Sequence, residues 1–170
     1  CAIKESGELL CWGSNGNNLV SGAPSGTFLQ VSTRNNTGCS IDTEHAIQCW
    51  GYDGYGVVSD APFEGSFVQV SVGNYHACAI DDASTVHCWG HESYGSLEDE
   101  REGFIAVATG SNFSCGLETD GELDCWGDNN HDQLNHPAGR FVQVDAGTYH
   151  ACALDTAGSI HCWGYDNDGQ

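Results

Sequence analysis

The stretch Gly147-Thr-Tyr-His150-Ala-Cys152-Ala-Leu154-Asp155-Thr-Ala-Gly158-Ser159-Ile160-His161-Cys162-Trp163-Gly164 decides the fold. Two short runs rich in apolar residues flank Asp155 to Ser159, whose Asp, Gly and Ser are turn formers, so the segment reads as a hairpin. Its closing tripeptide, Cys-Trp-Gly, occurs five times, with Trp at 12, 50, 89, 126 and 163, at intervals of 38, 39, 37 and 37 residues. Ten positions before each of those cysteines stands another, giving Cys1 and Cys11, Cys39 and Cys49, Cys78 and Cys88, Cys115 and Cys125, Cys152 and Cys162. Upstream, Phe28, Phe67, Phe104 and Phe141 each precede a Val by three residues: Val31, Val70, Val107 and Val144. Short β-branched and aromatic segments such as Phe67-Val-Gln-Val70 and Thr85-Val-His-Cys-Trp89 alternate with Gly, Asn, Asp and Ser, the period of strands and turns. Three or four strands at such a spacing make a propeller blade. The expected fold is therefore all-β: a propeller-type array of about five blades, some partial, of 37–39 residues each. The chain reads as one repeat domain, 1–170, with hairpin cores near 1–13, 39–51, 78–90, 115–127 and 152–164.

Cysteine spacing tests the hairpin. Ten residues of α-helix would hold the paired Cα atoms about 15 Å from each other, beyond disulfide reach. Across a hairpin the two lie opposite, roughly 4.5–5.5 Å apart, which a disulfide spans. One bridge per blade is the economical pairing, and ten paired cysteines place the chain in an oxidising compartment: extracellular, secreted or at the cell surface.

The pattern resembles the repeat of the regulator of chromosome condensation superfamily. That repeat runs Gly-x-x-His-(Ser/Thr/Ala)-x-Ala-Leu, then Gly-x-Val-x-x-Trp-Gly-x-Asn-x-x-Gly-Gln-Leu. Gly147 to Leu154, Gly158 to Gly164 and Asp166-Asn-Asp168-Gly169-Gln170 follow it closely. The short period and paired cysteines are similar to its extracellular, disulfide-containing branch, which includes secreted bacterial propellers and Crinkly-type receptor ectodomains. The resemblance implies a propeller but no single task, because the family includes an exchange factor, an enzyme inhibitor and receptor ectodomains. Two departures stand out: Arg34 where the repeat has Gly, and Gly38 where it has a small residue before Cys39. Family propellers have about seven blades. Together with an opening on Cys1 instead of Met, five hairpins suggest a processed or partial chain, or an open array that meets a neighbour at its ends.

Composition narrows function further. Of 28 charged residues 24 are acidic, for a net charge of −20. Four cations (Lys4, Arg34, Arg101 and Arg140) cannot neutralise a row of phosphates, which argues against nucleic acid and anionic membranes as partners. No apolar run approaches the length of a spanning helix, so membrane insertion is not expected. Nucleophile-elbow, phosphate-loop and zinc-protease motifs are missing from the sequence, and the chain reads as no enzyme.

The five Trp residues read as core. A zinc reading would gather His76, Cys78, His87 and Cys88, with their counterparts around 150–162. The cysteine pairs persist in repeats lacking those histidines, which points to structural His76 and His150. Three residues past each Trp stand Asn15, Asp53, Glu92, Asn129 and Asp166, expected to shape turns. Asp166 and Asp168 are weak calcium candidates in a loop with no bidentate Glu, and no other cofactor is implied. Asn35-Asn36-Thr37 and Asn112-Phe113-Ser114 are acceptor sequons, making Asn35 and Asn112 candidates for covalent glycans. The reading is a non-enzymatic extracellular interaction or scaffold module whose partner is a protein or further copies of itself. The alternatives are a subunit of an extracellular glycoprotein filament, and a secreted inhibitor or receptor ectodomain.

Overall fold

The computed structural model describes residues 1–93, 95–97 and 101–167. Among them the chain is all-β apart from a 3-10 turn at Gly16–Asn18. A short hairpin, β1 (Ala2–Ile3) and β2 (Leu9–Leu10), is followed by β3 (Phe28–Arg34), β4 (Thr37–Asp42) and β5 (Ile47–Gly51). Then come β6 (Phe67–Val72), β7 (His76–Asp81), β8 (Thr85–Gly90) and β9 (Arg101–Glu102). Next are β10 (Phe104–Thr109), β11 (Phe113–Glu118) and β12 (Leu123–Gly127), and finally β13 (Phe141–Ala146), β14 (His150–Asp155) and β15 (Ile160–Gly164). They form five separate antiparallel sheets, one per repeat.

The cysteine register follows the sequence reading. Cys39 lies opposite Cys49, Cys78 opposite Cys88, Cys115 opposite Cys125 and Cys152 opposite Cys162. All five pairs, Cys1–Cys11 included, are disulfides with Cα atoms 4.0–4.1 Å apart. One position further along each hairpin, Gly38, Ala77, Ser114 and Ala151 face Trp50, Trp89, Trp126 and Trp163. Only small residues fit there: a Cβ on Gly38 would lie 2.7 Å from the Trp50 ring.

Each inner strand carries a bulge directly after its Phe. The bulge pushes Leu29, Val68, Ile105 and Val142 outward, each 52–55% exposed. It also frees side chains to bridge repeats. Gln30 Oε1 accepts the Val70 N–H at 2.7 Å, and Gln69 Oε1 accepts the Val107 N–H at 2.7 Å.

Blades of four strands, the upper end of the sequence expectation, occur once among the described residues. There only β9 adds a fourth strand; the three neighbouring complete sheets have three. Loops in the other repeats carry Pro24, Pro62 and Pro137 four or five residues before the Phe, one or two positions ahead of the places equivalent to Arg101 and Glu102. The β9 loop has no proline, and Arg101–Glu102 pairs with Val86 and Thr85.

The core lies between sheets. Cys39 and Ile41 of β4 pack with Phe67 and Val70 of β6 and with Trp89; the next interfaces repeat the arrangement around Phe104 and Trp126, then around Phe113 and Phe141. Three of the five indoles also reach back one repeat, while the buried Nε1 of Trp126 has no hydrogen-bond partner among the described residues. Nε1 of Trp50, Trp89 and Trp163 donates to the carbonyls of Leu19, Val57 and Gln133 at 2.7–2.8 Å. Trp50, Trp89 and Trp126 are buried, whereas Trp12 is 65% exposed, a correction to the reading of all five as core. It has no preceding loop among the described residues to close on. Trp89→Phe is expected to cost about 2 kcal/mol, because it strands the carbonyl of buried Val57 and leaves space beside Ala77. Urea unfolding against the wild type measures it.

Candidate functional site

The turns that follow the inner strands, at 34–37, 73–76, 110–113 and 147–150, converge at one end of the array. A polar ladder joins them. Asn35 Nδ2 donates to Asn74 Oδ1 at 2.9 Å, Asn74 Nδ2 to Ser111 Oγ at 3.2 Å, and the Ser111 N–H to the Thr148 carbonyl at 3.1 Å. Arg34 sits at the centre of this end. Its Nε donates to Asn74 Oδ1 at 3.0 Å, Nη1 to the carbonyls of Thr109 and Ala146 at 3.2 and 3.1 Å, and Nη2 to Thr148 Oγ1 at 3.4 Å. One side chain thus ties its own repeat to three others. Burial lowers its pKa while Asp145 pulls it back up, and a guanidinium keeps its charge in proteins.

The structure explains why Arg replaces Gly at this place. In two other repeats the residue three positions on is an aromatic ring: a Cβ on Gly110 would meet Phe113 at 2.0 Å, and one on Gly147 would meet His150 at 2.3 Å. The second repeat has Thr37 instead, whose Oγ1 donates to the Tyr52 carbonyl at 2.9 Å, leaving room for a side chain at 34.

His76 is fully buried, with Nε2 2.8 Å from Ser114 Oγ of the next repeat. Burial, assisted by the Arg34 charge, pushes its pKa down to about 4. The unfolded chain binds this proton near 6.5, so stability from the neutral histidine is present above that value and is lost as pH falls. Between pH 6.5 and 4 the loss is roughly 3 kcal/mol. His76→Phe, copying Phe113 of the next repeat, is expected to flatten this limb in urea titrations at stepped pH.

The zinc grouping does not assemble. Cys78, Cys88, Cys152 and Cys162 are spent in disulfides, while His87 and His161 bond Asp81 and Asp155 at 2.9 and 2.8 Å. The oxygen-bearing loop residues cap turns. Asn15 Oδ1 accepts the N–H groups of Val20 and Ser21, Asp53 Oδ1 those of Val58 and Ser59, Glu92 that of Leu97 and Asn129 that of Leu134. Hydrogen bonds from the Ser59 and Val58 backbone hold Asp53 below the usual carboxylate range, against some opposition from burial. Asp166 is exposed; Asp168 lies outside the described residues. Of the sequons, Asn35 is exposed at the polar ladder, Asn112 is half-buried, and Ser114 is buried against His76.

Two aromatic groupings escaped the sequence reading. Tyr55 meets Tyr52, Tyr75 and His91 edge-on, with centroids 5.5, 4.7 and 5.8 Å away. Two repeats later His131 meets Tyr149 and Tyr165 at 5.2 and 5.1 Å. Superimposing repeats would have revealed them, since Tyr55 and His131 both stand five residues past a Cys-Trp-Gly Trp, and Tyr75 and Tyr149 three before a Cys.

The signature described as the regulator of chromosome condensation (RCC1) repeat matches residues 67–96, 104–133 and 141–170, more than half of the chain. Among solved structures, the entire ectodomain of the receptor kinase CR4 from Physcomitrella patens is similar at 25% identity and TM-score 0.75, over 86% of this chain and 43% of that one. The CRINKLY WD40 ectodomain of the Arabidopsis thaliana receptor kinase ACR4 is similar at 29% identity and TM-score 0.70, over 81% of this chain and 51% of that one. Human WBSCR16 shares the fold at 21% identity and TM-score 0.70, over 82% of this chain and 48% of that one. The chain thus spans about half the length of these structures or less. No match was found among curated protein sequences. Five disulfide-pinned hairpins in phase, the last three of them matched by that signature over more than half of the chain, place the chain in the regulator of chromosome condensation (RCC1) repeat family.

Proposed function

We propose that this chain is a non-enzymatic, extracellular interaction module, one repeat domain over 1–170 that presents loops and bulges from a rigid array. The observation that carries the reading is a disulfide in every repeat of a propeller similar to plant receptor ectodomains. Rigid blades with turn-capped loops lose little entropy when they dock, which favours protein recognition. The exposed bulge residues Leu29, Val68, Ile105 and Val142 supply one apolar contact per repeat, and the acidic surface favours a cationic partner protein. Asn35 and Asn112 are the candidate glycan carriers, and Asp166 a weak calcium donor. The test is to isolate the protein from its source without reductant, label thiols, and look for a stoichiometric complex by size exclusion. Blocked thiols and a discrete complex with another protein support the reading. Free thiols, or turnover of a small substrate without any complex, overturn it.

A second reading is the filament subunit, in which apolar residues of the first and last hairpins meet a neighbouring copy. Leu10 and Trp12 are exposed at one end, and Ile160 is 73% exposed beside a hollow of about 170 Å³ at the other. Electron microscopy in physiological salt separates the two: filaments with an axial repeat matching the chain support it, and discrete particles exclude it.

A further inference from the structure

A cleft of about 480 Å³ opens where the second and third repeats meet, lined by Tyr52, Tyr55 and Tyr75 and by Asn35, Asn36 and Asn74. In a chain of net charge −20, its lining carries neither a carboxylate nor a cation. The walls are held in place. Edge-on contacts at 5.5 and 4.7 Å fix Tyr55 between Tyr52 and Tyr75, and the amide of Asn35 is bonded to that of Asn74. Tyr52 stands 40% exposed at the mouth. Among the described residues, neither the Asn36 side chain nor the three phenol hydroxyls have a hydrogen-bond partner, so all four remain available to a ligand.

This chemistry selects its ligand. Planar amides offer donors and acceptors side by side, and phenol hydroxyls add both. Aromatic rings take C–H surface. A charged ligand would find no counter-charge in the lining, since Arg34 behind Asn74 has its donors engaged by Asn74, Thr109, Ala146 and Thr148, and a purely apolar one would leave the amides and hydroxyls desolvated without partners. A molecule with hydroxyls around its rim and C–H groups on its faces satisfies both. We propose that this cleft is a binding site for a neutral saccharide. The inference does not rest on the protein-binding reading, since a propeller that bound no protein would still hold a sugar here.

Two sources supply that chemistry: a glycan carried by another molecule, or the chain's own glycan on Asn35. Asn35 Nδ2 would keep one hydrogen after glycosylation, enough to retain its bond to Asn74. The experiment separates them. Secreted protein with intact disulfides, and its Asn35→Gln form, are titrated calorimetrically with chitotriose, cellotriose and mannotriose. Binding in both forms identifies an external glycan. Binding only in Asn35→Gln identifies the protein's own glycan as the occupant. In whichever form binds, Tyr52→Ala and Asn36→Ala are each expected to weaken binding by about tenfold. Both residues are exposed, so melting temperatures should hold, and Tyr149→Ala in the second aromatic grouping serves as a control that leaves affinity unchanged. The proposal is overturned if neither form binds any of the three sugars, or if Tyr52→Ala and Asn36→Ala bind as tightly as the parent. Competition by an uncharged peptide with no sugar competing would also overturn it.

Discussion

Reduction of all five disulfides is expected to unfold the protein, and single-bridge removal is expected to sort the bridges by place. Each closes a hairpin loop of the same length, its cysteines ten residues apart, and the chain-entropy model assigns each about 2.7 kcal/mol. Together they come to the upper part of the about 5–15 kcal/mol by which most domains are stable. Equal loops do not make equal bridges. Cys78 and Cys88 are 0% and 8% exposed in the middle of the array, packed with Val107 and Trp126 of the next repeat. The Cys78→Ala/Cys88→Ala variant should therefore lower the melting temperature by about 5–10 °C. Cys1–Cys11 pins strands of two residues each, so its loss should release that hairpin while the main transition stays within about 1 °C. Stepwise reduction with mass-spectrometric thiol mapping should open Cys1–Cys11 and Cys152–Cys162, whose Cys162 is exposed, before the buried Cys78–Cys88. If Cys78–Cys88 opened first, the placement of the core between blades would be wrong.

Arg34→Ala is expected to cost about 3 kcal/mol and to lower the melting temperature by about 6–12 °C. The substitution removes a charged donor from the carbonyls of Thr109 and Ala146 and from the side chains of Asn74 and Thr148. The guanidinium is half-buried, which keeps the figure below that of a fully desolvated charge. Arg34→Lys keeps the charge but offers one ammonium to four acceptors, so about half the loss should remain. Because the four partners belong to three other repeats, the variant should also unfold less cooperatively. A chemical melt followed by tryptophan fluorescence and by far-ultraviolet dichroism should give transitions that coincide in the parent and separate in Arg34→Ala. Coincident transitions at parental stability would show that this end of the array does not couple the repeats.

What could be read without coordinates was what acts over a few residues. The alternation in Thr85-Val-His-Cys-Trp89, the turn residues of Asp155 to Ser159 and the ten-residue cysteine interval each specify a hairpin locally, and five in-phase copies specify an array of them. The turn role of Asp53 and Asn129 was legible for the same reason, since each caps an N–H five residues on. Other features required the repeats to be set against one another. Trp12 has the same sequence context as Trp89, yet among the described residues only Trp89 has a preceding loop to close on. Arg34 read as a lapse from the repeat, while its partners lie 40, 75, 112 and 114 residues away. The aromatic cleft likewise joins the loop of one repeat to the turn of the next. Pairing within a hairpin depends on side-chain alternation and turn geometry, both written in consecutive residues. What meets at the end of the array depends on the angles between sheets, and those arise from how side chains such as Phe67, Trp89 and Gln69 pack and bond across each interface.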